Sequence, residues 1–164
     1  MDAGTAEEAE VLADTFEIQD RVRRALQIEV ADTVMAMVDA TFDMVREPIA
    51  RFYGMPLQGR EGTSFLRYET GGFYRRHVDR AQVPLWPLTA RRLLTLVLFL
   101  ESAREAEQAG GFSGGLLRLY PEGQRQPVDI TPTRGTLVAF PAQMPHEVTR
   151  VTAGRRDTIV DWFF

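Results

Sequence analysis

This chain of 164 residues contains two histidines, and one of them opens the triplet His77-Val78-Asp79. The triplet lies in a stretch that reads as a strand, where side chains two positions apart project from the same face. An imidazole beside a carboxylate offers one nitrogen and one oxygen ligand to a divalent metal. His146, the other histidine, would complete a set of two imidazoles and one carboxylate that leaves half an octahedron open. That donor set suits non-haem Fe(II) chemistry. The triplet alone is weak, because surface strands carry His-x-Asp by chance. The chain has no cysteine, so thiolate ligands, a thiol nucleophile and disulfides are excluded.

Further residues stack on the triplet. His146 follows Pro145 at the start of a strand, where a rigid element can aim it. Arg156 lies on the last strand, with Thr158 two positions on and therefore on the same face. A guanidinium grips a carboxylate by two parallel hydrogen bonds. Arg155 competes for that role, but alternation lets only one of the pair face inwards, and the ten-residue offset from His146 favours Arg156. Tyr68 supplies a hydroxyl on a neighbouring strand. Tyr74 reads equally as a strand aromatic, and Thr158 equally as a plain β-former. Arg75, Arg76 and Arg80 read as a solvated rim, with docking of an acidic substrate as the alternative. All 19 basic residues are arginine, so an arginine at any one site carries less information than usual.

The elements that must position these groups fall into two regions. Residues 1 to 60 favour helix. Apolar residues recur at helical spacing through Val34, Val38, Phe42, Val45, Ile49 and Phe52. Asp32-Thr33 is the expected cap, Pro48 the expected break or kink, and Gly54 with Pro56 the end. Met35, Met37 and Met44 are expected to fill gaps in the core. An earlier helix is expected near residues 5 to 14, and Thr15 to Ile28 is ambiguous between strand and helix. After Gly62 the texture turns to strands: Ser64 to Tyr68, Phe73 to Asp79, a doubly covered central strand over Arg92 to Leu100, Leu116 to Tyr120, Val128 to Ile130, Thr136 to Phe140, Glu147 to Val151, and Arg156 to the end. Glu101 to Gly114 reads as a mobile connection. Helices first and strands after predict a mainly β fold, a jelly roll over 62–164 with N-terminal helices packed on one side. The length predicts one domain over 1–164.

Composition bounds the function. A net charge of −4 offers no basic field for nucleic acid or an anionic membrane. The longest apolar run, Leu93 to Leu100, is too short to span a bilayer. The first residues lack the basic and apolar regions of a signal peptide. The expected partner is therefore a substrate rather than nucleic acid or membrane, and the expected location is cytoplasmic.

His77-x-Asp79, His146 and Arg156 resemble the iron and co-substrate residues of the Fe(II)/2-oxoglutarate-dependent dioxygenases. More narrowly, residues 65 to 163 resemble the prolyl 4-hydroxylase branch. Three stretches carry this likeness: Phe65-Leu66-Arg67-Tyr68 with Gly72-x-Tyr74-x-x-His77-Val78-Asp79, the run from Ser113-Gly114-Gly115 through Tyr120-Pro121-Glu122-Gly123, and Pro145-His146-Glu147-Val148 with Gly154-x-Arg156 and Trp162. The resemblance implies a double-stranded β-helix, iron held by His77, Asp79 and His146, and the distal carboxylate of 2-oxoglutarate held by Arg156 with Tyr68 and Thr158. Phe99 departs from the oxygen-sensing group, which has a tyrosine at that position facing the co-substrate. The resemblance further implies use of O2, with ascorbate as a supporting reductant, and hydroxylation of a C–H bond on a prolyl residue of a peptide or protein. The loops over 80–91 and 101–113 would clamp that peptide, with Trp86 stacked on the proline ring. Hydroxylation of a free amino acid or other small molecule stays open. A cupin-like binding domain without catalysis and a hydrolase that activates water on a His₂Asp site also stay open.

Overall fold

The computed structural model describes residues 6–8, 22–80, 87–103 and 111–164. The long helix α1 spans Asp32–Tyr53 and buries Val38 and Phe42, two members of the apolar stripe. Phe52, counted with that stripe, points to solvent. Tyr53 turns inwards instead, and its hydroxyl donates to the Ala139 carbonyl at 2.8 Å, because a step of four from Ile49 stays on the buried face. Met37 and Met44 are exposed rather than core, while Met35 packs against the main cluster. Ala31 is the N-cap and makes no side-chain cap bond. Asp32 instead sits inside the first turn, where its charge complements the helix dipole. The helix runs through Pro48 without a break. Pro48 and Met44 both lie on the exposed side, so the carbonyl deprived of its partner can be hydrated. Gly54 ends the helix with φ 63°, a left-handed conformation that other residues resist.

Thirteen strands are described. In chain order they are β1 Ala6–Glu8, β2 Arg23–Arg24, β3 Leu26–Ile28, β4 Ser64–Tyr68, β5 Phe73–His77, β6 Leu94–Phe99, β7 Ser113–Gly114, β8 Leu117–Leu119, β9 Val128–Ile130, β10 Leu137–Pro141, β11 His146–Val148, β12 Val151–Ala153 and β13 Arg156–Phe163. A short helix α2, Pro87–Arg91, precedes β6. The major sheet has the order β1-β3-β4-β13-β6-β10, the minor sheet β2-β5-β11-β8-β9, and β12 pairs with β7 alone. The two larger sheets face each other as a double-stranded β-helix. Two clusters fill the space between them: Leu66 and Tyr68 with Val148, and Val97 and Phe99 with Leu117, Leu119 and Phe140. On the outer face of the major sheet α1 covers Phe65, Leu94, Leu96, Ile159 and Phe163. Alternation along β13 thus sends Ile159 and Phe163 to the helix and Arg156, Thr158, Val160 and Trp162 into the cavity between the sheets.

The N-terminal segment differs from the expected helical support. Residues 6–8 form a strand on the edge of the major sheet, and the ambiguous stretch supplies β2 to the minor sheet and β3 to the major one. The rest of the helix expected over 5–14 lies outside the described residues. The strand expected over Glu147 to Val151 is divided between β11 and β12. The ends of the connection over 101–114 are joined by a bridge between Ala103 and Phe112, and Phe112 is fully buried. Trp86 and most of the two expected substrate loops, residues 81–86 and 104–110, lie outside the described residues. Among the described residues no helix is long and apolar enough to cross a membrane.

Candidate metal and co-substrate site

A β-bulge sets the first ligand. His77 pairs with His146 and Tyr74 with Val148, so three steps along β5 match two along β11. The extra residue brings Tyr74 onto the face of His77, and their rings stack with centroids 3.5 Å apart and planes 17° apart. Tyr74 itself is held protonated, its pKa pushed up to about 12 by burial. Asp79 lies just beyond the end of β5 rather than on the strand. Its backbone N–H donates to the Ala142 carbonyl at 2.9 Å, which turns the carboxylate towards the imidazoles. The register pairing of His146 with His77 puts the two rings 4.2 Å apart, centroid to centroid.

The three side chains offer donor atoms that all lie within 4.8 Å of one another. Each imidazole has its Nδ1 against a backbone carbonyl: His77 on Arg75 at 2.8 Å and His146 on Met144 at 3.0 Å. A carbonyl only accepts, so Nδ1 carries the proton and Nε2 keeps its lone pair, a tautomer assigned from the partner. Those Nε2 atoms face the Asp79 carboxylate, His77 at 3.4 Å from Oδ1 and His146 at 3.5 Å from Oδ2. Lone pairs facing a carboxylate at that separation call for a cation between them. Burial lowers the His146 pKa against the pull of the Asp79 charge, which favours the neutral form that binds metal. Burial alone would raise the Asp79 carboxyl. The adjacent His146 and His77 rings and the Trp162 indole N–H outweigh it and hold the group well below the ordinary carboxylate range. His77, Asp79 and His146 form a possible iron site.

Arg156 stands directly opposite Tyr68 in the β13–β4 register and is 1% exposed. Its Nε and Nη1 have no hydrogen-bond partner, and its guanidinium lies 5.0 Å from the Tyr68 ring and 5.4 Å from the Phe99 ring. Burial lowers its pKa to about 10, so it remains cationic near neutral pH. Gly115 makes room for this side chain: a Cβ there would stand 2.9 Å from Arg156 Cδ. Arg156, Tyr68 and the three possible iron ligands line one cavity of about 360 Å³. A buried cation without a counter-charge is costly, and a short dicarboxylate entering that cavity would supply the missing acceptors. The residues present therefore fit both groups.

Thr158 lines the same cavity, but its hydroxyl donates to the Leu98 carbonyl at 2.8 Å. It retains only acceptor capacity, which a carboxylate cannot use. Arg155 points away from the cavity to Glu101 and Asp157. Arg76 covers the Tyr120 ring at 4.0 Å, and Arg80 donates to the Ala90 carbonyl. Sequence reasoning missed Thr95, Arg92 and Glu61. Thr95 Oγ1 and Trp162 Nε1 donate to Asp79 Oδ2 at 2.7 and 3.0 Å. Arg92 is stacked on Trp162 at 3.7 Å, forked onto Glu61, and bonded to the Asp79 carbonyl at 3.2 Å. Only the contrast of the polar Thr95 within the apolar run Leu93 to Leu100 was visible beforehand.

Two facing antiparallel sheets enclose a His₂Asp cluster and a buried arginine at one cavity. The chain belongs to the 2OG-Fe(II) oxygenase superfamily, whose sequence profile matches residues 63–164. That family's chemistry uses Fe(II), 2-oxoglutarate and O2. The chain is 29% identical over 136 residues to Egl nine homolog 1 of Rattus norvegicus, a match covering 81% of this chain and 37% of that protein. It thus spans little more than a third of that relative's length. The crystal structure of a Pseudomonas putida prolyl-4-hydroxylase superposes with a TM-score of 0.65 at 28% identity, covering 87% of this chain and 72% of the other. A Trichoplax adhaerens prolyl hydroxylase, solved with a hypoxia inducible factor peptide fragment, shares the fold with a TM-score of 0.69 at 21% identity, covering 97% and 70%.

Proposed function

We propose that this chain is an Fe(II)- and 2-oxoglutarate-dependent dioxygenase that hydroxylates a prolyl residue of a peptide or protein, with residues 1–164 as one catalytic domain acting in the cytoplasm. The observation that carries the dioxygenase reading is Arg156, a buried cation with two unpartnered nitrogens lining the same cavity as His77, Asp79 and His146. A purely structural metal site leaves such a cation unexplained, and a dicarboxylate co-substrate accounts for it. His77 and His146 contribute neutral Nε2 atoms and Asp79 a carboxylate oxygen to the iron. Arg156 and the Tyr68 hydroxyl orient the distal carboxylate of 2-oxoglutarate. Iron, when bound, supplies the coupling of oxidative decarboxylation of 2-oxoglutarate, giving succinate and CO2, to insertion of oxygen into a C–H bond. Apolar walls such as Leu66, Val97 and Leu117 keep water from the reacting centre.

The prolyl substrate is supported by the 28% identical Pseudomonas putida prolyl-4-hydroxylase. An extended peptide also suits a cavity between two sheets, where main chain can be bound at the rim while one side chain reaches inwards. The test is mass spectrometry of proline-containing peptides incubated with the protein, Fe(II), 2-oxoglutarate and ascorbate. A gain of one oxygen, stoichiometric with succinate, is expected. Turnover of a free amino acid with no peptide modified would replace the peptide substrate by a small molecule and leave the dioxygenase reading standing.

A further inference from the structure

We propose that Thr95 and Trp162 are positioning residues that restrict Asp79 to one free carboxylate oxygen, and that the Glu61–Arg92 pair at the cavity wall fixes Trp162 for that task. The inference rests on the iron-site reading above. An ionised carboxylate has two oxygens with about four acceptor directions between them. Oδ2 of Asp79 takes the Thr95 hydroxyl at 2.7 Å and the Trp162 indole N–H at 3.0 Å. Oδ1 receives neither donor, so a metal is offered one oxygen rather than a chelating pair. Thr95 and Trp162 are register partners on β6 and β13. The two donors thus move as one rigid unit of the major sheet, whereas Asp79 sits on a bend outside any strand.

The support extends outwards. The Arg92 guanidinium lies 3.7 Å from the Trp162 ring, a cation–π contact that fixes the indole plane. Both arms of its fork go to the Glu61 carboxylate, and its remaining nitrogen holds the Asp79 carbonyl at 3.2 Å. The Glu61 backbone N–H in turn donates to the Trp162 carbonyl at 2.9 Å. The backbone and the side chain of Asp79 are therefore both tied to Trp162 through one arginine. Hydrogen bonds of this kind to a ligating carboxylate fix its orientation and basicity, and their loss costs about 10–100-fold in metal affinity.

The test is equilibrium binding of Mn(II) and anaerobic Fe(II), with the visible absorption of the Co(II)-loaded protein, for wild type and variants. Thr95→Val is nearly isosteric and removes one donor. Trp162→Phe removes the other and keeps a ring for Arg92. Thr95→Ser should restore what Thr95→Val loses, and Glu61→Gln should produce a smaller loss. We expect Thr95→Val and Trp162→Phe each to weaken metal binding by about 10–100-fold and to change the Co(II) spectrum, while 2-oxoglutarate binding to the metal-saturated variants changes little. Folded variants that bind metal as tightly as wild type, with an unchanged Co(II) spectrum, would overturn the proposal. So would a Thr95→Ser variant as defective as Thr95→Val. If wild type itself binds no metal, the iron-site reading falls and this proposal with it. Metal binding by wild type that Asp79→Ala abolishes separates that failure from this one.

Discussion

Arg156 shows what one residue can reveal that composition cannot. In a chain whose basic residues are all arginine, its identity says little, and only strand alternation with the ten-residue offset from His146 separated it from Arg155. The structure supplies the decisive contrast: Arg156 is 1% exposed with two unpartnered nitrogens, whereas the Arg155 side chain is 40% exposed and paired with Glu101 and Asp157. A lost charge-assisted hydrogen bond costs about 1.5–3 kcal/mol. Arg156→Ala should therefore raise the dissociation constant for 2-oxoglutarate at least about tenfold, and Arg155→Ala should leave it nearly unchanged, as calorimetry would show. The opposite ranking would mean that Arg156 is a structural cation only. Thr158 was less legible. Its place on the cavity face follows from alternation, but donation of its proton to Leu98 is a rotamer choice that no sequence pattern encodes.

At the scale of elements, most strands were legible because each carries alternating or continuous apolar residues between glycine and proline turns. The bulge in β5 was not. It depends on the pairing with β11, and that pairing is set by two segments far apart in the chain. The same holds for the turn between β7 and β8, where Gly114-Gly115 stood out as a motif without a visible reason. Gly115 has φ +60° and would place a Cβ against Arg156, Phe112 and Val151, whereas Gly123 has φ +77° and open space around it. Forcing alanine into a left-handed conformation costs about 1–2 kcal/mol at either position. Gly115→Ala should also displace Arg156 and weaken 2-oxoglutarate binding, and Gly123→Ala should lower stability alone. Parallel denaturant melts and binding titrations of the two variants would check this. Equal binding by both would show that the Arg156 side chain tolerates the added methyl.

On the scale of the whole molecule, the family profile begins at residue 63, yet the N-terminal segment is built into both sheets. β2 extends the minor sheet beside β5, and β3 extends the major sheet beside β4. Arg23 and Gln27 from these strands line the cavity. Helical composition in residues 1 to 60 concealed this, because strands of two or three residues are too short for a periodic signal. A buried ion pair ties the helix, the connection after it and the last strand together. Arg60 holds Asp161, which is 0% exposed, at 2.5 Å and Asp39 of α1 at 2.7 Å. Removing one partner of such a pair costs about 3–5 kcal/mol, so Asp161→Ala should lose about that much in urea unfolding. A loss below about 1 kcal/mol would mark the pair as solvent-screened instead. Whether one cavity takes iron at His77, Asp79 and His146 and 2-oxoglutarate at Arg156 is decided by anaerobic calorimetric titration of 2-oxoglutarate into the Fe(II)-loaded protein. Iron-free and Arg156→Ala samples would run beside it. Stoichiometric binding that requires both the iron and Arg156 is predicted. Binding indifferent to both, or no binding to the iron-loaded wild type, would contradict a shared iron and co-substrate cavity.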